Sequence, residues 1–140
     1  MPSRESQTDR QRINVAGPTA LGDAIAWTRR YAADQALAEH DQARLCIIVE
    51  ELVTNLCEHG VCEGDREIGI ELARDGSCLG LAIEDNGRPF DPRTAPHSAD
   101  IPTRGGGAGL NLVRSWAEIV EYESGNGRNR LELRLRLSDG

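Results

Sequence analysis

Three stretches of this chain alternate apolar and polar residues with a period of two. Ile68, Ile70 and Leu72 alternate with Gly69, Glu71 and Ala73, and Leu79, Leu81 and Ile83 follow across the turn Asp75-Gly76. Near the end, Leu131, Leu133, Leu135 and Leu137 face one way while Glu132, Arg134 and Arg136 face the other. Successive side chains of a strand point to opposite sides of a sheet, so the pattern demands one apolar and one polar face. Such a sheet needs a cover on its apolar side only, and is half of a two-layer structure.

The cover is encoded between the strands. A short strand around Ile13 and Val15 is turned by Gly17-Pro18-Thr19 into a helical pattern with Leu21, Ile25, Trp27, Thr28 and Tyr31, ending near Asp34. A second helix is expected from Asp41, a residue type suited to an N-cap, through Leu45, Ile48, Val49, Leu52 and Leu56 to His59, with Gly60 as its stop. A third follows a glycine cluster and carries Leu110, Val113, Trp116 and Ala117; a strand over 119–123 and the turn Gly125-Asn126-Gly127 lead into the last strand. The predicted order is β-α-α-β-β-lid-α-β-β. Short hairpins imply a mixed, mostly antiparallel sheet with three helices on one face, an α/β (α+β) two-layer sandwich. A chain of 140 residues supplies one core. Residues 1–11 read as a disordered tail and 12–140 as the domain.

Composition removes several functions. The net charge is −7, which disfavours direct contact with nucleic acid. No apolar run approaches the ~20 residues that cross a bilayer, so no membrane association is expected. The stretch Met1 to Arg12 has no apolar leader, which makes cytoplasmic the expected location. The chain contains no lysine; all sixteen basic residues are arginine. A P-loop and a eukaryotic-type kinase fold each need a lysine on the phosphates, so both are excluded. Cys46, Cys57, Cys62 and Cys78 are expected to be thiols rather than disulfides, and Cys57 and Cys62 lack the spacing of a zinc pair.

Three segments carry candidate chemistry. In Glu51-Leu-Val-Thr-Asn55-Leu-Cys-Glu-His59, the residues Glu51, Asn55 and His59 are four apart and share one helical stripe beside the apolar one. A carboxylate there can accept a proton, and an asparagine carbonyl is a neutral oxygen ligand suited to Mg²⁺. Asp85-Asn86-Gly87 lies where an apolar strand ends; its carboxylate can accept a hydrogen bond from a base amine, and Gly87 admits a close planar ring. Gly105, Gly106, Gly107, Ala108 and Gly109 open a helix, whose N-terminal N–H groups favour phosphate. Taken singly, each has a plainer reading: a solvated helix face, an Asp/Gly turn, a glycine hinge.

Together and in this order, the three resemble the Bergerat-type ATPase superfamily of histidine kinases, gyrase and mismatch-repair ATPases. Within it the chain resembles the bacterial anti-sigma-factor serine/threonine kinases. Glu51-Leu-Val-Thr-Asn55 with His59-Gly60 resembles that family's N box. Asp85-Asn-Gly87-Arg-Pro-Phe-Asp-Pro92 and Gly107-Ala-Gly109-Leu110 resemble its two glycine boxes, and the likeness extends over about residues 12–137. The resemblance implies the Bergerat ATP-binding fold, with ATP and Mg²⁺ as cofactors and a lid over about 91–106. It implies Glu51 as general base, Asn55 as the Mg²⁺ ligand, and Asp85 on the adenine amine with Gly87 beneath the ring. His59, Arg104 and the run from Gly105 through Gly106, Gly107, Ala108 and Gly109 to Leu110 would complete the nucleotide site. The implied partners are a sigma factor, a STAS-domain anti-sigma antagonist and a second copy of the chain. Two departures stand out: Gly127-Arg-Asn129-Arg130 replaces a Gly-Thr pair entering the last strand, and Arg104 is displaced by about a residue from the lid arginine of some relatives. A non-catalytic ATP-binding switch and a detached histidine-kinase catalytic domain are the alternative readings.

Overall fold

A computed structural model describes residues 10–58, 66–87 and 113–138. Its strands are β1 (Gln11–Ala16), β2 (Glu67–Asp75), β3 (Cys78–Asp85), β4 (Ala117–Gly125) and β5 (Arg128–Arg136). Helices α1 (Ala20–Asp34) and α2 (Glu39–Glu58) precede β2, and residues 113–116 are helical (α3). The sheet runs β1-β2-β3-β5-β4, and each neighbouring pair is antiparallel. This is the α+β two-layer architecture that the alternation demands.

Register makes the two faces explicit. Ile70 pairs with Ile13 and Ile83, Ile83 with Leu131, and Leu131 with Tyr122, so one row of the inner face is apolar from edge to edge. The row of Leu72, Leu81, Leu133 and Ile119 continues it. These side chains form one core with Tyr31 of α1 and with Leu45, Ile48, Val49, Leu52 and Val53 of α2. In α1 the fully buried positions are Ala20, Ala24, Thr28, Tyr31 and Ala32, while Leu21, Ile25 and Trp27 are half-buried. Small residues thus bring the helix close, and Thr28 satisfies its hydroxyl by donating to the Ala24 carbonyl at 2.8 Å.

Two details depart from the sequence pattern. Helix α2 begins at Glu39, so Asp41 lies inside its first turn and is not the N-cap. The reason is tertiary. Asp41 is 1% exposed and accepts the Ser138 N–H and hydroxyl, both at 2.9 Å, and the Arg44 guanidinium at 2.9 Å. It ties the chain after β5 to the start of α2. Burial opposes its charge, but the Ser138 and Arg44 hydrogen bonds outweigh burial and hold its pKa below the ordinary aspartate value. The second departure is a bulge in β4: Ile119 pairs with Leu133 but Glu121 with Glu132, leaving Val120 as an extra, exposed residue. Before the bulge Ala117 and Ile119 face inward; after it Tyr122 and Ser124 do.

The outer face is an ionic lattice. Arg12 reaches Glu71 at 2.6 Å and Glu84 at 3.0 Å, and Arg130 reaches Glu84 at 2.6 Å and Glu71 at 3.3 Å, closing a ring across four strands. Gly69 makes the ring possible, because a Cβ there would run into the Arg12 guanidinium as it crosses β2. Burial works against the charged forms of Glu71 and Glu84, yet the arginine hydrogen bonds prevail and both pKa values are lowered.

Candidate functional site

The inner face changes character at one end. In the terminal row, Ile68 pairs with Asp85, Asp85 with Asn129 and Asn129 with Ser124. Three polar side chains thus occupy positions whose parity is that of the leucines and isoleucines. Asp85 is 6% exposed and Asn129 4%, which makes them rare buried polar groups in this core. A two-residue turn sets them in place. Asn126 and Gly127 both have positive φ, 54° and 75°, the conformation of a tight hairpin turn, and they fix Ser124 opposite Asn129.

Their hydrogen bonds run in one direction. The Gly87 N–H donates to Asp85 Oδ1 at 2.8 Å. The Asn129 amide nitrogen donates to the same Oδ1 at 3.0 Å and to the Gly87 carbonyl at 2.9 Å. Ser124 Oγ in turn donates to Asn129 Oδ1 at 2.7 Å. Asn86 helps to set the turn, its Oδ1 accepting the Glu67 N–H at 3.1 Å. A buried carboxylate is costly unless its charge is met. Asp41, Glu71 and Glu84 are met by arginine. Among the described residues Asp85 is met by neutral N–H donors alone, and both fall on one oxygen.

Helix α2 presents the other described candidates. Glu51 and Asn55 lie one turn apart and half-buried, flanking the buried stripe of Leu45, Ile48, Leu52 and Val53. Both lie on the part of the helix surface that borders this stripe. His59, Arg104, Gly105, Gly106, Gly107, Ala108, Gly109 and Leu110 lie outside the described residues. A depression of about 280 Å³ on the outer face, between Arg10, Glu71, Ala82 and Arg134, contains none of the candidates. Of the cysteines, Cys46 and Cys78 are free thiols as expected. Cys57, just past Asn55, is disulfide-bonded, which corrects the expectation of thiols throughout.

Sequence reasoning treats Asn129 only as a departure and passes over Ser124. The signal for Asn129 is its parity with Leu131, Leu133, Leu135 and Leu137. Ser124 carries no such signal, because the bulge at Val120 reverses the parity that Ile119 sets.

Comparison with known proteins gives a family and two relatives. The histidine kinase-like ATPase domain family matches residues 15–135. Serine/threonine-protein kinase BtrW of Bordetella bronchiseptica is 28% identical over 133 residues, covering 91% of this chain and 93% of its own length. Sensor histidine kinase TrcS of Mycobacterium tuberculosis is 31% identical over 137 residues, covering 86% of this chain but only 26% of TrcS.

Proposed function

The chain belongs to the histidine kinase-like ATPase domain family, and from that premise we propose that it is an ATP-dependent serine/threonine protein kinase acting as an anti-sigma factor. In this reading it phosphorylates a STAS-domain anti-sigma antagonist, sequesters a sigma factor, acts as a homodimer and works in the cytoplasm. The observation that carries the nucleotide site is Asp85, a buried carboxylate met by neutral donors at the end of an apolar strand. Its remaining acceptor capacity suits the exocyclic amine of adenine. Kinship with a serine/threonine kinase along 93% of that protein favours hydroxyl transfer over the detached histidine-kinase domain. No described helix is long and apolar enough to cross a membrane.

Mg²⁺, when bound with ATP, would neutralise charge developing on the phosphates. Asn55 fits it as an oxygen ligand. Glu51 would accept the proton of the substrate hydroxyl as that oxygen attacks the terminal phosphorus and the bond to the bridging oxygen breaks, releasing ADP. The glycine run 105–109 would offer N–H groups to the phosphates, Arg104 their counter-charge, and the lid over about 91–106 would cover them. The test is phosphoserine or phosphothreonine on the antagonist after incubation with Mg·ATP, read by mass spectrometry. Transfer should vanish in Glu51→Ala while nucleotide binding survives; no phosphorylation over hours would sink the kinase reading.

A second reading is a switch that binds ATP and partners without transfer. It is favoured by Asn129, which departs from the Gly-Thr pair of the resembled family and whose amide is committed to Asp85 and Gly87. Turnover that depends on Glu51 excludes it.

A further inference from the structure

We propose that the disulfide at Cys57 is a redox-controlled clamp on the last turn of α2, closed when oxidised and loosened by reduction, and that it governs how tightly the site holds Mg·ATP. The inference rests on the reading of Asn55 as the Mg²⁺ ligand and adds a regulator to it, with Cys57 as a positioning residue.

Helix α2 ends at Glu58, so its last turn is residues 55–58. The final carbonyls of a helix have no partner within it, and a helix end opens locally at far smaller cost than the middle. No basic residue stands in this turn to meet the negative end of the helix dipole. Asn55 therefore occupies the least secure stretch of α2, whereas Glu51 lies a full turn further inside. Leu56 and Cys57 anchor the turn, both packed partly buried against the core, and Cys57 adds a covalent bond. Cys57 follows the fully buried Val53 by four residues and so shares its inward face. Its sulfur leaves the helix roughly 200° around from Asn55. The bond thus secures the turn from the core side and acts on Asn55 through the backbone.

Of the four cysteines, Cys46 and Cys78 are free thiols and take no part in the bond. Disulfides that form in the cytosol are usually transient and redox-sensing, because the thiol pools there keep cysteines reduced. Opening the clamp is thiol–disulfide exchange. A dithiol's thiolate attacks one sulfur of the Cys57 bond, forming a mixed disulfide and releasing the other sulfur as a thiolate, which takes a proton. The dithiol's second thiolate then displaces the remaining cysteine. The protein gains two electrons and two protons in all, and the dithiol leaves as a cyclic disulfide. Closure is the reverse, with a small-molecule disulfide as the electron acceptor.

The test compares the full chain isolated without reductant with the same chain after dithiothreitol. Labelling of the unfolded chain with a maleimide should reach Cys46 and Cys78 alone before reduction and all four cysteines after it. In calorimetry, reduction should raise the dissociation constant for Mg·ATP about three- to tenfold, as expected for a turn formed about a third to a tenth of the time. The constant for ATP in EDTA should stay within about twofold, since Asn55 acts through the metal. Hydrogen exchange of amides 55–58 should quicken on reduction while that of 45–52 does not. Cys57→Ser should bind Mg·ATP as the reduced parent does and no longer respond to dithiothreitol. An isolated chain that labels at all four cysteines, an Mg·ATP affinity unchanged by reduction, or a Cys57→Ser protein that still responds overturns the inference and leaves the nucleotide site standing. Equal weakening of Mg·ATP and of ATP in EDTA gives the bond a merely structural role and overturns it as well. A chain that binds no ATP in either state overturns the nucleotide reading and, with it, any control over Mg·ATP.

Discussion

The two faces of the sheet treat carboxylates in opposite ways. On the outer face Glu71 and Glu84 each meet both Arg12 and Arg130, so charge is compensated and redundant. On the inner face Asp85 is more deeply buried, yet it is met by a backbone N–H and an asparagine amide. Full compensation leaves a group nothing to offer a ligand. Partial compensation by neutral donors fixes the carboxylate while leaving its charge in force. Asp41 shows that burial alone does not produce this state, because it is buried as completely and Arg44 neutralises it. The choice of donor, rather than burial, therefore sets Asp85 apart from the carboxylates that arginine neutralises, as its proposed role in binding requires.

That contrast can be broken at several points. The largest expected effect is Asp85→Asn, which should weaken ATP binding by about a hundredfold or more while shifting the thermal midpoint little, because a neutral amide fits the same space. Glu84→Gln on the opposite face should leave the ATP dissociation constant within about twofold, since exposed ion pairs act locally. Equal losses from the two variants in calorimetry would erase the distinction between the faces. Asp41→Ala should cost about 2–3 kcal/mol in urea unfolding, since it breaks the ion pair with Arg44, leaving that guanidinium only the Arg136 carbonyl, and removes the acceptor of both Ser138 donors. Arg130→Gln removes one partner from each of Glu71, Glu84 and Glu132, the last held at 3.1 Å, and should cost about 1 kcal/mol at low salt, less at high salt.

Acid titration sharpens the comparison further. The folded-state pKa values of Asp41, Glu71 and Glu84 are lowered. Their contribution to stability is therefore complete above the unfolded-chain values near 4, and is lost as pH falls through the lower folded values. Unfolding free energy followed from pH 6 to 2 should decline steeply at the acid end, and a Glu71→Gln/Glu84→Gln pair should flatten that decline. A smaller effect, about 0.5 kcal/mol, is expected for Gly69→Ala, which displaces Arg12 from Glu84.

The sequence makes the sheet legible because alternation is a local property. Ile68 to Leu72, Leu79 to Ile83 and Leu131 to Leu137 each declare a strand and a face without help from the rest of the chain. Asp41 misleads because an aspartate near a helix start suits an N-cap, and nothing nearby announces that Ser138, 97 residues away, takes it instead. The segment from Asp85 to Gly87 is legible as a polar strand end with a turn. That its carboxylate lies against Asn129 depends on the pairing of β3 with β5, which is a tertiary fact. Glu51 and Asn55 are legible as a shared stripe of α2 from their spacing alone.

Alternation gives a strand a reading frame of two, and Val120 is a one-letter insertion in that frame. Upstream of it the odd-numbered residues of β4 point inward; downstream the even-numbered ones do. Excising Val120 would remove the bulge and leave Ile119, Glu121, Tyr122, Glu123 and Ser124 in simple alternation, with Ser124 still facing Asn129. The bulge therefore absorbs one extra letter without changing which of the residues downstream of it face inward.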